Sequence, residues 1–417
     1  MIYYKKSNLW LPPVLGASIA IILAVAALYL DHNIDWKEPG VPVFNGDLDT
    51  AHSMLSVIAT SVTTLLALIF TIIVVAIQLA SSQYTPRALA TLLQDRPSHI
   101  TIGIFVGTFT YTLMVLWGLR FTETEGGEHV AGVSLSLAFI FAIVSLGNFA
   151  IYSNHIIHSV RVTSLINRVA SETRRSIEKL YIENKGYKIK LTEAPSTEPD
   201  HVIYSDKVGV IVAIQVKKLY ELALKSDAVF IIEPIAGAFV PEGYPLIKIY
   251  GKRPDPDVLD HIKILGERTM DMDILFGIRQ LSDMAIRANS PGINDPASAV
   301  QVIDQLHDIL RRFIKMDMGN LVAEDQQGKV RVLMKLPSWE DVVHVAIDEV
   351  RNYGASSLQV VRRLRAMLDN LLEQAPEHKK ESIIVQLELL DKVVEENFDQ
   401  DYLLKWAKRG DIRGDGF

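Results

Sequence analysis

Four long apolar segments in the first third of the chain constrain everything else it can fold into. They cover residues 9–30, 55–80, 100–119 and 130–152. Each matches the ~20 residues that a helix needs to cross a bilayer. Hydrocarbon offers the backbone no hydrogen bonds, so such segments must be helical. Nothing comparable follows Tyr152. The sequence therefore predicts a membrane α-helical bundle of four transmembrane helices with both termini cytoplasmic. A cytoplasmic α+β region follows, with a small β-module and a helical domain. The expected boundaries are 1–152 for the membrane domain, 153–200 for a helical extension and linker, 201–252 for a small β-sandwich-like module and 253–417 for a mainly helical domain.

The hydrophobic content of 49% averages two materials, a lipid-like first part and an ordinary charged remainder. A net charge of −7 argues against nucleic acid as a main partner, which would need a basic footprint. The absence of cysteine removes thiol nucleophiles, thiolate-bound zinc and disulfides. Leu11-Pro12-Pro13 opens the first apolar run with no signal-peptide cleavage site after it, so the run reads as a retained membrane helix. Orientation follows from lysine and arginine in the short loops. Lys5, Lys6, Arg87, Arg96, Arg161, Arg168, Arg174 and Arg175 fall on one side, and Lys37 and Arg120 fall among acids on the other. Both termini and the C-terminal region are therefore expected in the cytoplasm.

From Ser153 to Asn184 there is no Pro or Gly, and Ile157, Val160, Leu165, Val169, Ile177 and Leu180 recur at helical spacing. One helix projecting from the fourth span is expected. Pro195 and Pro199 then mark a linker. Val208 to Val216, Val229 to Glu233 and Leu246 to Tyr250 read as strands, and Leu219 to Leu224 as a short helix. The run Gly237-Ala238-Phe239-Val240-Pro241-Glu242-Gly243-Tyr244-Pro245-Leu246 resembles the turn of a barrel-sandwich hybrid, as in biotinyl and lipoyl domains. Helices are expected at 257–289, 295–317, 338–353, 355–374, 377–397 and 399–408, interrupted by a strand from Val330 to Leu336.

The second span carries a polar stripe. At 100° per residue, Ser53, Ser56, Thr60, Thr64, Ala67, Thr71, Gln78 and Ser82 fall within about 40° of one direction. Polar groups inside a membrane face protein or water, so the stripe either lines a pathway or glues helices together. Ser56, Thr60, Thr64, Thr71, Gln78 and Ser82 are the candidate lining. Arg87 after this span, with Asn148 and His155 on the fourth, are candidates for a cytoplasmic mouth. Gly103 and Gly107 of the third span form a small-xxx-small pattern that suits close helix packing. No charged residue lies in the central part of any span, which favours a passive conduit over a charge-coupled pump.

In the C-terminal region, Arg279, Asp283 and Arg287 form an i, i+4, i+8 ladder. Ser290-Pro291-Gly292 breaks the helix, Asp295 suits an N-cap and Pro296 the first helical position. These residues, with Asn294, make either a structural turn or an anion or ligand site at a helix N-terminus. Two motifs, Ser81-Ser82-Gln83-Tyr84-Thr85-Pro86-Arg87 and Ser290-Pro291-Gly292-Ile293-Asn294-Asp295-Pro296, resemble the DUF2254 family of predicted bacterial membrane proteins. That resemblance implies topology and a location in a bacterial inner membrane, and it supplies no catalytic residues.

No phosphate loop, dinucleotide fingerprint, HExxH or GxSxG is present. The expectation is therefore a non-enzyme without cofactor or bound metal. It is a homo-oligomeric, channel-like or passive transport protein in the lipid bilayer, passing an ion or small solute. The alternative is a membrane-anchored cytoplasmic sensor or scaffold.

Overall fold

A computed structural model describes residues 11–33, 48–83, 96–122, 132–159, 161–182, 187–252, 256–269 and 272–413. The chain divides into two compact units, one built from the apolar helices up to Arg161 and the other from Val162 onward.

The first unit holds α1 (Leu11–Asn33), α2 (Leu48–Gln83), α3 (Arg96–Thr122) and α4 (Gly132–Ser159). All four are long and apolar enough to cross a membrane. In α3, 44% of the apolar window is buried, against 17–22% in the others, so α3 is the central helix. α1 and α3 run parallel and nearly touch through backbone. A Cβ on Gly16 would lie 2.3 Å from Gly103 O, and one on Gly107 would lie 3.1 Å from Gly16 O. The Gly103/Gly107 pattern thus does what small residues do between membrane helices. α4 runs antiparallel to both. Asp31, at the end of α1, accepts from Val133 N and Ser134 N, both at 2.9 Å, and so caps the first turn of α4. Three polar contacts then tie α3 to α4. Tyr111 Oη donates to Ser134 O (3.1 Å), Thr108 and Ser145 share a hydroxyl bond (2.9 Å), and so do Ser98 and Tyr152 (3.0 Å). α2 joins the same core through Ala51, Leu55, Ile58, Val62 and Ile69. That 4-3-4-7 spacing is a heptad-like seam.

α4 stops at Ser159, and α5 (Val162–Ile177) starts after a bend at Arg161, where the periodicity predicts one continuous helix. A π-helical turn (Glu178–Ile182) ends α5. The strands that follow are β1 (Lys188–Lys190), β2 (His201–Tyr204), β3 (Gly209–Ile214), β4 (Val229–Ile232), β5 (Phe239–Val240) and β6 (Pro245–Tyr250), with α6 (Val216–Lys225) between β3 and β4. A 3-10 turn (Pro256–His261), β7 (Ile262–Leu265), α7 (Ile274–Ala288), α8 (Pro296–Ile314), β8 (Asn320–Glu324) and β9 (Val330–Met334) come next. α9 (Trp339–Tyr353), α10 (Leu358–Gln374), α11 (Glu377–Asn397) and α12 (Asp401–Ala407) complete the chain.

Two sheets form, one in the order β1-β8-β9-β4-β6-β2 and the other β5-β3-β7. The strands of 201–252 therefore do not close on themselves. β4 pairs parallel with β9, about 100 residues later, aligning Phe230 with Val332 and Ile232 with Met334. All four side chains are buried, and that burial recruits the distant hairpin into the sheet. The helix expected over 257–289 is likewise three elements. Ile262, Lys263, Ile264 and Leu265 leave it to pair with β3, and only the part from Ile274 is α-helical. α7 packs between α5, α8 and α9, and α8 packs on α10.

Candidate functional site

The polar stripe of α2 turns away from the bundle. Taking Ser53 as zero and 100° per residue, the buried seam of Ala51, Leu55, Ile58, Val62 and Ile69 centres about 165° round the helix. The stripe centres close to zero, nearly opposite. Ser53, Ser56, Thr60, Thr64, Ala67, Thr71 and Gln78 are all exposed. Among the described residues, no helix of the same chain packs over the stripe. Ser82 lies on the same helix, but its side chain is outside the described residues, as is Arg87 altogether.

The other outward faces of the unit have different chemistry. α1 exposes Val14, Ile19, Ile22 and Val25, and α4 exposes Ile140, Ile143, Val144 and Ile151. Those faces are apolar enough to suit lipid tails. Among the described residues, only α2 sets a row of hydroxyls on the outside, flanked by exposed Val57, Leu68, Val74 and Val75. Each threonine of the stripe bonds back to its own helix: Thr60 Oγ1 to Ser56 O (2.8 Å), Thr64 Oγ1 to Thr60 O (2.9 Å) and Thr71 Oγ1 to Ala67 O (2.9 Å).

The candidate mouth residues of α4 do not join the stripe. Asn148 and His155 share a face with Tyr152, which is 2% exposed and bonded to Ser98, so this face turns into the bundle. His155 contacts Ser159 Oγ through Nε2 at 3.3 Å, and Ser159 Oγ donates to His155 O at 2.8 Å. Asn148 Nδ2 is buried without a hydrogen-bond partner among the described residues. One residue that the sequence reading passed over does belong with the stripe. Asp49 is exposed in the first turn of α2, four residues before Ser53 and on the same face. The signal was the same i, i+4 spacing, carried one turn past the apolar segment.

In the second unit the charge ladder is a tie between helices. Arg279 Nε meets Asp283 Oδ1 at 3.0 Å, and its Nη2 meets Glu349 Oε1 of α9 at 2.7 Å. Burial alone would lower the pKa of Arg279. The Glu349 and Asp283 carboxylates outweigh it, so the guanidinium is held more firmly charged than usual. Arg287 is half-buried one turn further along. Asp295 caps α8 by accepting from Ser298 N (3.1 Å) and Ser298 Oγ (2.5 Å), so its carboxylate already occupies the position an anion would take. Asn294, not Gly292, adopts the left-handed conformation, at φ 48°.

Asp273 caps α7 through Phe276 N (3.0 Å) and lies 3.5 Å from Arg268 Nε. Burial pushes its pKa up to about 6, and Arg268 and the helix N–H groups only partly reverse that. Arg268 donates twice to Gly237 O, linking α7 to the glycine-containing turn. A cleft of about 540 Å³ runs along α8 between Asp304, His307, Asp308, Arg311, Arg312 and Lys315. Several of its charges are paired across helices, Arg312 with Glu178 and Asp308 with Arg174. Among the described residues no group of three or more His, Asp or Glu side chains is placed to hold a metal.

Four membrane-length helices carrying a charged α/β unit define a multi-pass membrane protein. The chain belongs to the DUF2254 family of predicted membrane proteins, whose model matches residues 6–370. It is similar to uncharacterized proteins of Mycobacterium bovis and Mycobacterium tuberculosis, each 25% identical over 410 residues, covering 95% of this chain and 78% of the relative. No solved structure matches it.

Proposed function

We propose that this protein is a homo-oligomeric, channel-like passive transporter of the bacterial inner membrane. In it, α2 of each copy lines the path, and the C-terminal unit assembles or gates the oligomer on the cytoplasmic side. One observation carries the reading: the polar stripe of α2 lies opposite its packing seam, while the outward faces of α1 and α4 are apolar. Lipid gains nothing from a row of hydroxyls. Copies arranged around an axis with these rows inward would enclose a hydrated path. No residue is assigned a catalytic role, and the rows can work without metal or cofactor.

The test combines assembly and flux. The chain lacks cysteine, so Ala67→Cys introduces a single thiol on the stripe. Bifunctional thiol reagents should link copies of this variant in native membranes, and should not link Ile143→Cys on the lipid face of α4. Purified protein in vesicles should pass small solutes. Thr64→Leu with Thr71→Leu should cut that flux while the oligomer persists, and Ile143→Leu should leave it unchanged. Monomeric protein, or oligomers that pass nothing, would end the proposal.

A further inference from the structure

The threonines on the outward face of α2 have a definite electrical sense, which, resting on the conduit reading, names what passes. A carbonyl oxygen only accepts, so Thr60, Thr64 and Thr71 each give their single hydroxyl proton to their own helix. Thr63, on the flank, does the same toward Ala59 O at 2.8 Å. Each hydroxyl then has no proton left for a ligand and can offer it only an oxygen lone pair. At 1.5 Å rise per residue these levels lie about 6 Å and 10 Å apart, within the middle of the span. Repeated around an axis, they form rings of acceptors with their donors already used. Such rings can replace part of a cation's hydration shell and offer an anion nothing.

The second observation lies at the N-terminal mouth. Asp49 is exposed and in line with the stripe. An acid in the first turn also suits the helix dipole, which accounts for its place along the helix but not around it. Carboxylates repeated at the mouth would raise the local concentration of cations. α2 carries no lysine or arginine to oppose them. Inside the span no carboxylate is present to offset the dehydration of a divalent ion. We propose that the path conducts monovalent cations and rejects anions.

The experiment uses the full-length protein in neutral phosphatidylcholine bilayers between unequal KCl solutions. The reversal potential should take the sign set by potassium. Asp49→Asn should lower the potassium-to-chloride permeability ratio several-fold with the thiol-linked oligomer intact. Thr64→Val with Thr71→Val should cut potassium conductance about tenfold, equivalent to ~1.4 kcal/mol of barrier, and Thr64→Ser should retain it. Chloride preference, equal permeability, or potassium current indifferent to the valines would overturn the inference. So would passage of glycerol without potassium, which leaves a conduit standing. Oligomers closed to every solute would instead remove the conduit reading and this inference together.

Discussion

The turn between α7 and α8 places its strain on Asn294. Its φ of 48° is left-handed, which asparagine tolerates and a β-branched residue does not. Gly292, with open space around its Cα and an ordinary φ, carries no such demand. Asn294→Val should therefore destabilise the C-terminal unit by about 1–2 kcal/mol. Asn294→Gly and Gly292→Ala should change little, as read from the denaturant midpoint of Trp339 and Trp406 fluorescence. Asp295→Ala should cost about 1 kcal/mol by removing the cap. Loss of the proposed transport at full stability in that variant would move a ligand role ahead of the structural one. Asp273 gives the unit a pH dependence. Its folded-state pKa of about 6 exceeds the ordinary aspartate value, so the folded form holds the proton more tightly. That stabilisation is full below about pH 4 and is lost as pH rises through 6, with an upper size of roughly 3 kcal/mol. Asp273→Asn keeps a capping oxygen without the titration, and should flatten the denaturation midpoint between about pH 4 and 6. A slope unchanged by this variant would assign the dependence to another group.

At the scale of elements, the pair α1–α3 depends on missing side chains. Gly16→Leu should force α1 from Gly103, an overpacking cost of about 1–3 kcal/mol or more, and should lower the detergent melting temperature. Leucine at Gly147, which has nothing within 4 Å, should not. Gly103 and Gly107 announced this contact in the sequence because small residues at i, i+4 have one common use between membrane helices. The four spans and the helices α8 to α12 were legible for a similar local reason. Their apolar period, Ser338 and Ser357 caps, and Gly354 and Pro376 breaks are written within each segment. What escaped depends on distant partners. Ile262–Leu265 reads equally well as the start of a helix until β3 lies beside it, and Asn320–Glu324 is too short to declare itself without β9. The bend at Arg161 has no Gly or Pro to mark it. The stripe of α2 was visible from spacing alone. Its outward direction was not, because the competing seam of Leu55, Ile58 and Val62 is no more apolar than the flanks and is picked out only by what packs on it.

At the scale of the whole molecule, the contacts within the membrane unit fix the alternation of spans and leave its sense to charge. Asp31 touches the start of α4, so the end of α1 and the start of α4 share one side. Ser98 touches Tyr152, so the start of α3 and the end of α4 share the other. The second set of ends adjoins Arg87, Arg96 and Arg161, and the first adjoins only Lys37 and Arg120. Short loops rich in lysine and arginine stay in the cytoplasm. A phosphatase–fluorescent reporter fused after Gly186 or at Phe417 should therefore fluoresce without phosphatase activity, and one inserted between residues 33 and 48 should show the reverse. Phosphatase activity at the C-terminus would invert the molecule. That outcome would bear on function as well as topology. It would put the end of α2 that carries the exposed Asp49, expected outside, in the cytoplasm, and would put the C-terminal unit where no cytoplasmic signal could reach it to gate the proposed path.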